Sequence, residues 1–380
     1  MRKKLLAGLL CTAMVATMFT GCEQPGSEKK SGDDTKKTVG ISMPTKSLER
    51  WNRDGSYLKK EFEKAGYKVE ITYSDNDTDQ QVNDIQNLIS ENVDLLIVAA
   101  IDGESLSTVL ADAKGADIPV VSYDRLIRNT DAISYYVSFD NYKVGQLQGQ
   151  YIIDTLDLDN AGDKTYNLEV TAGDPADNNA TFFYNGAMDT LKKYIDAGTL
   201  KIPSGQKKFE EVGTAQWDTS TALDRMQNIL ASYYADGKTQ LDVCLCSNDS
   251  TALGVTQAIQ SDYKGKNSPI ITGQDGDEEN LKNIIDGKQS MTVYKAVANE
   301  AVVTLELSKE ILQDKKPAEE LTSKVDCETK YDTESYDNGT LKVPSYLLTP
   351  ETVTKDNYKE LLVDTGYYTE DSNGYLKAAE

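Results

Sequence analysis

The sequence predicts an α/β protein with two parallel β-sheets, each flanked by helices. From Thr38 to about Lys315, short apolar runs alternate with stretches of helical period. Several runs are apolar at consecutive positions, as in Leu95–Val98, which is typical of strands covered by helices on both faces. About ten strands in roughly 260 residues suggest two sheets, with right-handed crossover connections.

Before this alternation begins, the chain carries a predicted leader and tether. Three cations at positions 2–4 precede an apolar run over 5–19, which is too short to span a bilayer and has the charge order of a secretory signal. The run ends in Phe19-Thr20-Gly21-Cys22, which resembles the lipobox of bacterial lipoproteins. We expect residues 1–21 to be a signal peptide and Cys22 to be acylated, with a plain loop thiol as the alternative. Residues 22–37 are expected to be a flexible tether, because 23–37 contain no aliphatic or aromatic side chain to bury.

The predicted strands are the apolar runs, and the predicted helices lie between them. In chain order the strands are 39–43, 69–73, 93–100, 118–123, 135–139, 166–170, 209–212, 241–246, 269–272 and 291–294. The first two helical stripes are formed by Leu48, Trp51, Leu58, Phe62 and Ala65, and by Val82, Ile85 and Ile89.

Two further patterns have structural interpretations. Cys244, Cys246 and Cys327 are expected to be small packing residues rather than disulfide partners, since the first two alternate with apolar residues in one strand-like run. The segment 75–79 begins like a calcium loop, but Gln80 and Gln86 stand where such a loop needs Gly and Glu. A solvated turn that caps the next helix is predicted there instead.

The composition excludes several classes of function. The 380 residues include 40 Lys+Arg, 62 Asp+Glu and no His, for a formal charge of −22. Without His the chain cannot use Ser-His-Asp or Cys-His catalysis, histidine-ligated metals or imidazole pH switching. So acidic a chain also argues against nucleic acid and anionic lipid surfaces as partners, because both require clustered Lys and Arg.

Polar groups and both Trp residues cluster where the predicted strands end. In such folds ligands bind beyond the carboxyl ends of the parallel strands, where loops and helix N-termini converge. The residues that follow the strands include Lys46, Arg50, Trp51, Asp124, Arg125, Asp140, Asp177, Asn178, Asn179, Trp217, Asp218, Asn248, Asp249, Gln274, Asp275 and Lys295. Carboxylates, amides and cations suit the hydroxyls of a neutral polyhydroxylated ligand, and Trp faces suit the C–H faces of a sugar ring. No glycine-rich phosphate-binding motif occurs in the sequence, so nucleotide binding has little support.

A set of short motifs runs from Thr38 to Tyr368. They are Met43-Pro44-Thr45-Lys46, Glu49-Arg50-Trp51, Ala99-Ala100-Ile101-Asp102-Gly103, Tyr123-Asp124-Arg125-Leu126-Ile127-Arg128-Asn129, Phe139-Asp140-Asn141, Asp177-Asn178-Asn179-Ala180, Gly273-Gln274-Asp275 and Val343-Pro344-Ser345-Tyr346-Leu347. With these motifs the chain resembles a type I periplasmic sugar-binding protein of ABC transporters, in the xylose-binding and multiple-monosaccharide-binding branch. The resemblance implies two α/β lobes joined by three hinge crossings, with the sugar in the cleft and hinge closure around it. The expected N-terminal lobe is 38–140 plus 296–335, and the expected C-terminal lobe is 141–295 plus 336–380.

Carried over position by position, the resemblance implies ligand contacts from both lobes. From the first lobe they are Lys46, Arg50, Asp124 and Arg125; from the second they are Asn178, Asn179, Asn248, Asp249 and Asp275, with Lys295 near a hinge. Trp217 is expected to stack on the sugar, with Trp51 opposing it. Trp51 also lies on the apolar stripe of its own helix and could pack in the core instead, and Trp217 could be a hydrophobic staple of the helix that follows it.

The polar candidates have structural alternatives too. Asp124 and Arg125 could pair with each other across the mouth of the cleft. Asn178 or Asn248 could be no more than helix caps. Asp249 is the position whose role the motif fixes least, because its neighbour Asn248 fits the pattern better.

The resemblance implies a lipid-anchored, extracytoplasmic solute receptor. It would capture a monosaccharide of the xylose, glucose, galactose and arabinose class by hinge closure and deliver it to an ABC-type permease. We expect a monomer without cofactor or metal that binds no nucleic acid and meets the membrane only through its lipid anchor. We do not expect an enzyme.

Three other functions stay open at this point. One is a sensor that presents the bound sugar to a chemoreceptor or histidine kinase. Another is a sugar-processing enzyme that uses Asp249 and Asp275 as paired carboxylates. The last is a transcription regulator, which would need a basic helix-turn-helix module at the N-terminus, where this chain has a predicted signal and tether.

Overall fold

A computed structural model describes residues 36–379, which belong to one compact unit, Lys36–Glu380. The predicted signal peptide (1–21), the predicted acylation site Cys22 and all but the last two residues of the tether lie outside the described residues. Within 36–379, no helix has both the length and the apolarity that crossing a membrane requires.

The described residues alternate between strands and helices over most of their length. The strands are β1 (Thr38–Met43), β2 (Lys68–Tyr73), β3 (Leu95–Val98), β4 (Val120–Tyr123), β5 (Ile133–Phe139), β6 (Tyr166–Thr171), β7 (Leu200–Lys201), β8 (Val243–Cys246), β9 (Ile270–Ile271), β10 (Met291–Tyr294), β11 (Thr329–Asp332), β12 (Ser345–Leu348), β13 (Glu351–Thr354), β14 (Tyr368–Glu370) and β15 (Leu376–Ala378). The helices are α1 (Glu49–Lys64), α2 (Thr78–Ser90), α3 (Ser107–Gly115), α4 (Asn141–Leu156), α5 (Asn178–Ala197), α6 (Phe209–Val212), α7 (Thr219–Tyr233), α8 (Asp249–Asp262), α9 (Glu278–Ile285) and α10 (Val297–Ile311). Short 3₁₀ segments span Leu158–Asn160, Ala215–Trp217 and Glu319–Lys324, and a π-helical turn spans Lys359–Val363.

The first lobe is built on a seven-stranded sheet with the order β11-β12-β5-β4-β3-β1-β2. Its neighbouring strands are parallel except for β11 with β12. Successive side chains of β3 enter different cores: Leu95 and Ile97 pack on one face, Leu96 and Val98 on the other, and none has exposed surface. Both faces of this strand are therefore covered, as its run of apolar residues predicts.

The second lobe is built on a four-stranded parallel sheet with the order β7-β6-β8-β9. The antiparallel pair β10 and β13 lies beside it, and an isolated bridge between Gln274 and Val293 links the loop after β9 to β10. The hairpin of β14 and β15 packs with α9, where Leu281, Tyr368 and Leu376 share one core.

The chain passes between the lobes three times. The strand β5 belongs to the first sheet, whereas α4, which follows it, packs against α5 of the second lobe. After β10 the chain returns, because α10 packs on α1 of the first lobe. After β12 it crosses again to place β13 beside β10. The predicted two-lobed α/β fold with three hinge crossings is confirmed.

Two predicted boundaries differ from the structure. Residues 209–212 form the single helical turn α6 rather than a strand, since Phe209 and Val212 are spaced for one helical face and two Glu residues occupy the first turn. The range 336–380 was predicted to lie in the second lobe, but β12 pairs with β5, and Tyr336 and Val343 pack in a first-lobe core. The apolar residues of β12 do not indicate which of the two sheets this strand will join.

The structure agrees with a helix-capping turn at 75–79 and with three cysteines that are not disulfide partners. Asp77 caps α2, where its Oδ1 accepts a hydrogen bond of 2.9 Å from the amide of Gln80. Cys244 and Cys246 are buried in β8, Cys327 is half-buried, and all three are free thiols.

Candidate ligand-binding cleft

A cavity of about 30 Å³ lies between the two lobes, beyond the carboxyl ends of β1, β4, β6, β8, β9 and β10. Nine of the twelve predicted ligand residues line it: Arg50, Trp51, Asp124, Arg125, Asn179, Trp217, Asn248, Asp275 and Lys295. A cavity of this size holds about two water molecules. The lobes stand in a closed arrangement, because Arg50 and Arg125 of the first lobe form ion pairs with Asp275 and Asp177 of the second.

Charged side chains of both lobes meet at the centre of the cleft. The guanidinium of Arg50 contacts the carboxylate of Asp124 in its own lobe and lies 3.5 Å from Asp275 Oδ1 in the other. Lys295 directly follows β10, where the chain makes its second passage between the lobes. Its Nζ lies 3.2 Å from Asp275 and 3.6 Å from Asp124. Burial alone would raise the pKa of Asp124, but Arg50 and then Lys295 hold this pKa below its ordinary value. The four groups thus form one salt-bridge network that spans the lobes.

Two further carboxyl groups lie behind Arg50 and fix its orientation. Asp54, one helical turn later, lies 3.2 Å from Arg50 Nε and accepts a hydrogen bond of 2.6 Å from the hydroxyl of Tyr123. Glu300 of α10 lies 3.4 Å from Arg50 Nη2. Burial, and next the charge of Asp124, raises the pKa of Glu300 well above its ordinary value. Arg50 is thereby held in place from behind while its outer edge faces the cleft.

Arg125 makes a second connection between the lobes. Its Nε forms a salt bridge of 3.0 Å with Asp177, which precedes α5 in the second lobe, and its Nη1 donates to the carbonyl oxygen of Ala100 at 3.0 Å. The alternative that Arg125 pairs with Asp124 is therefore wrong, because each has a different partner. Asp177 also caps α5, where it accepts from the amide of Asn179.

Trp51 both packs in the core and lines the cleft. The ring belongs to a first-lobe core cluster and the residue is 2% exposed. The guanidinium carbons of Arg50 and Arg125 lie 4.9 Å and 5.0 Å from its ring centroid. Trp51 therefore packs in the core and also lines the cleft, where its ring gives the two cations a flat support. Its stacking on a sugar stays a prediction.

Trp217 forms the opposite wall on a strained backbone. Its φ is +57°, and that of Gln216 before it is +56°, a region that costs a bulky residue energy. The ring packs edge-on against Phe183 at 6.2 Å, and a Cβ added at Gly173 would lie 1.9 Å from it. Because the ring packs on these residues, the hydrophobic-staple alternative for Trp217 is not supported. The indole Nε1 is buried and has no hydrogen-bond partner among residues 36–379.

The asparagines that precede or begin helices divide between the cleft and the surface. Asn248 lines the cleft and also caps α8, since its Oδ1 accepts from the amide of Thr251 at 3.0 Å. Asn179 lines the cleft and donates to the carbonyl oxygen of Asp124 at 2.7 Å. Asn178 points away to Arg128, 3.3 Å from its Oδ1, and it is not the cap of α5.

Two other predicted residues do not line the cavity. Lys46 is exposed, with its Nζ 4.8 Å from the ring centroid of Tyr73. Asp249 is fully buried, and its Oδ2 accepts from the amides of Gly276 and Asp277 at 2.9 Å and 3.0 Å. Burial, and next the charge of Asp275, raises the pKa of Asp249 to about 7. This residue supports the turn that follows Asp275 rather than facing the cleft.

Five further residues line the cavity without a predicted ligand role: Leu48, Asp177, Phe183, Ser250 and Gln274. Asp177 and Gln274 are among the residues that follow the predicted strands, but the family resemblance implies no ligand contact for them. Phe183 lies within α5 and has no signal that separates it from a core residue.

The periplasmic binding protein domain family matches the chain over residues 39–316. The multiple sugar-binding periplasmic receptor ChvE of Rhizobium radiobacter is 43% identical over 339 residues, which cover 88% of this chain and 92% of that protein. The D-xylose-binding periplasmic protein of Escherichia coli strain K12 is 34% identical over 366 residues, covering 96% and 98%. A solved structure of an ABC transporter solute binding protein from Clostridium phytofermentans, with bound β-D-glucose, is 52% identical with a TM-score of 0.83, covering 88% and 99%.

Proposed function

Because this chain belongs to the periplasmic binding protein domain family, we propose that it captures a monosaccharide outside the cytoplasm. Membership confirms the resemblance seen in the sequence motifs and the prediction that the chain is a binding protein and not an enzyme. The proposed ligands are aldoses of the glucose and xylose type, which relatives and a similar structure are named as binding.

The observation that carries this proposal is the buried network of Arg50, Asp124, Asp275 and Lys295 between two indole rings. Sugar hydroxyls donate to carboxylates and accept from guanidinium and ammonium groups, and charge-assisted hydrogen bonds of this kind are strong. The rings of Trp51 and Trp217 line the same cavity and can cover apolar faces of a pyranose. Trp217 Nε1 adds one buried donor that no group in the described part of the chain uses.

Ion pairs across the cleft support binding by hinge closure. Arg50 and Arg125 of the first lobe pair with Asp275 and Asp177 of the second, so we expect the lobes to separate before a sugar enters. A sugar that contacts both lobes favours the closed state by its difference in affinity for the two states. The enzyme alternative has no support here, since both carboxylate oxygens of Asp249 accept hydrogen bonds from protein groups.

We further propose that the protein is an extracytoplasmic lipoprotein monomer that delivers its sugar to an ABC-type permease. The permease follows from the solute-binding role, as the similar Clostridium phytofermentans protein is named an ABC transporter solute binding protein. Acylation at Cys22 rests on the four residues Phe19-Thr20-Gly21-Cys22 after the apolar run. Metabolic labelling with a fatty acid, in cells expressing the chain or its Cys22→Ser variant, tests the anchor.

Calorimetric titration of residues 23–380 with D-glucose, D-xylose, D-galactose and L-arabinose tests the ligand. We expect low-micromolar or tighter binding to at least one of them, about −8 kcal/mol or more favourable. Chromatography of the sugar after incubation should recover it unchanged. Failure to bind any of the four, or conversion of one to a product, would contradict the proposed function.

A further inference from the structure

Outside the cleft, helix α1 of the first lobe presents three residues to the second lobe. Glu49, Arg53 and Tyr57 follow one another at intervals of four, so they share one face of the helix. This face is separate from the ligand residues, because none of the three lines the cavity between the lobes.

Arg53 makes most of the contacts on this face. Its guanidinium donates to the carbonyl oxygens of Asp275 and Gly276 at 3.0 Å and 2.8 Å, and to Asp277 Oδ1 at 3.0 Å. It also contacts the hydroxyl of Tyr368 in β14. The Arg53 side chain is 9% exposed, so these contacts lie out of water.

The two neighbours of Arg53 on the helix reach further parts of the second lobe. The Glu49 carboxylate accepts a hydrogen bond of 3.1 Å from the amide of Glu278, the first residue of α9. The Tyr57 hydroxyl donates to the carbonyl oxygen of Ala379 at 3.0 Å. We call this set of contacts, from Glu49, Arg53 and Tyr57 to the second lobe, the clasp.

The clasp contacts the loop 275–277, and the first residue of this loop, Asp275, lines the cleft. Asp275 has a φ of +105°, which is strained for a residue with a side chain. Its carboxylate faces Arg50 and Lys295 in the cleft, while its carbonyl oxygen accepts from Arg53 on the outer side. Asp249 supports the loop from within the second lobe. The loop is thus fixed from the first lobe only while the lobes are closed.

From this geometry we infer that Arg53 is a positioning residue that couples closure of the lobes to the placement of Asp275. The inference rests on the proposed sugar-binding function but assigns Arg53 no contact with the sugar. When the lobes separate, Arg53 must leave four acceptors on the second lobe. Its loss should therefore speed opening, and hence sugar release, without changing how fast sugar meets the open cleft.

The test uses residues 23–380 with Arg53→Met and D-glucose as the probe. The two Trp residues of the chain both line the cleft, so stopped-flow indole fluorescence reports binding and release. We expect the dissociation rate constant to rise about tenfold or more and the association rate constant to stay within about twofold. In small-angle X-ray scattering without sugar, the radius of gyration should be larger than that of the wild type.

Three variants complete the design. Lys59→Met is the matched control, since Lys59 lies on the same helix, is half exposed and pairs with Glu63 of that helix at 3.9 Å. Arg53→Lys keeps the charge but not the planar fork, so its dissociation rate should fall between wild type and Arg53→Met. Tyr368→Phe should raise the dissociation rate alone and add little in the Arg53→Met background, because both remove one shared contact.

Unchanged dissociation and unchanged scattering in Arg53→Met would overturn the inference. So would a loss of affinity that lies wholly in the association rate, because Arg53 would then act on the open protein. If Arg53→Met fails to fold, Tyr368→Phe carries the same measurements. If the wild type binds none of the four sugars, the proposed function fails, and the sugar-free scattering comparison still decides whether Arg53 holds the lobes closed.

Discussion

Replacing Asp275 with Asn tests whether the charge network between the lobes binds the sugar. The carboxylate lies 3.5 Å from Arg50 and 3.2 Å from Lys295, and the residue is 5% exposed. Asn has nearly the same volume, so the substitution removes the charge and leaves the packing of the loop largely as it was.

The magnitude follows from these distances. At 3.2 Å and an effective dielectric constant of about 20, one such pair amounts to roughly 5 kcal/mol of Coulomb energy. Desolvation of buried ions offsets much of this, and a hydrogen bond to a charged group contributes about 1.5–3 kcal/mol net. We therefore expect the Kd for D-glucose to rise about tenfold to a hundredfold, roughly 1.4–2.8 kcal/mol.

Calorimetric titration at one pH and salt concentration measures this change. Asp286→Asn is the matched control, because Asp286 lies in the same lobe and pairs at the surface with Lys288, 2.9 Å away. The reasoning is refuted if Asp275→Asn binds glucose within about twofold of wild type, or if Asp286→Asn weakens binding as much.

Three other predictions follow from the cleft. Trp217→Ala should weaken glucose binding at least about tenfold in the same titration. Tyr233→Ala, which changes an exposed aromatic residue, should leave the affinity unchanged. Equal affinities in wild type and Trp217→Ala would show that Trp217 is not part of the binding site. Gly173→Ala should displace the Trp217 ring, since the added Cβ would lie 1.9 Å from it. We expect urea unfolding to show a free energy of unfolding lower by about 1–3 kcal/mol. A variant with wild-type stability and affinity would contradict this packing. Burial raises the pKa of Asp249 to about 7, from an ordinary value near 3.8. Between these two pH values the folded state therefore holds a proton that the unfolded state has lost. Because of this difference, the contribution of Asp249 to the free energy of unfolding falls as pH rises. Asp249→Asn should reduce the decline in unfolding free energy between pH 4.5 and pH 7.5, and an equally steep decline in the variant would show that Asp249 is not its source.

The sequence predicts the cleft well where a residue lies immediately beyond a strand. Asp124 and Lys295 come directly after β4 and β10, and Asn248 comes two residues after β8, so the carboxyl ends of the strands place them at the cleft. In such cases a local signal, an apolar run followed by polar residues, is enough to fix which end of the sheet the side chain occupies.

Orientation and long-range pairing could not be predicted in this way. Asp249 begins α8 beside Asn248, yet its carboxylate turns to the amides of Gly276 and Asp277, and nothing local to Asp249 specifies that turn. Phe183 has the spacing of a core residue on α5 and lines the cleft only because Trp217, from another segment, packs against it. These contacts depend on how separate segments meet in three dimensions.

The third passage between the lobes makes the second lobe depend on residues that are synthesised after the whole seven-stranded sheet of the first lobe. The antiparallel neighbour of β10 is β13, and Tyr294 at the end of β10 packs against Tyr368 with ring centroids 6.0 Å apart. A message truncated after Leu348 would still encode every strand of the seven-stranded sheet, but β10 would lack its antiparallel neighbour and α9 the hairpin that packs on it. A nascent chain therefore cannot complete this lobe until residues 351–378 have emerged, and an intermediate that waits with unpaired strand edges is prone to aggregate.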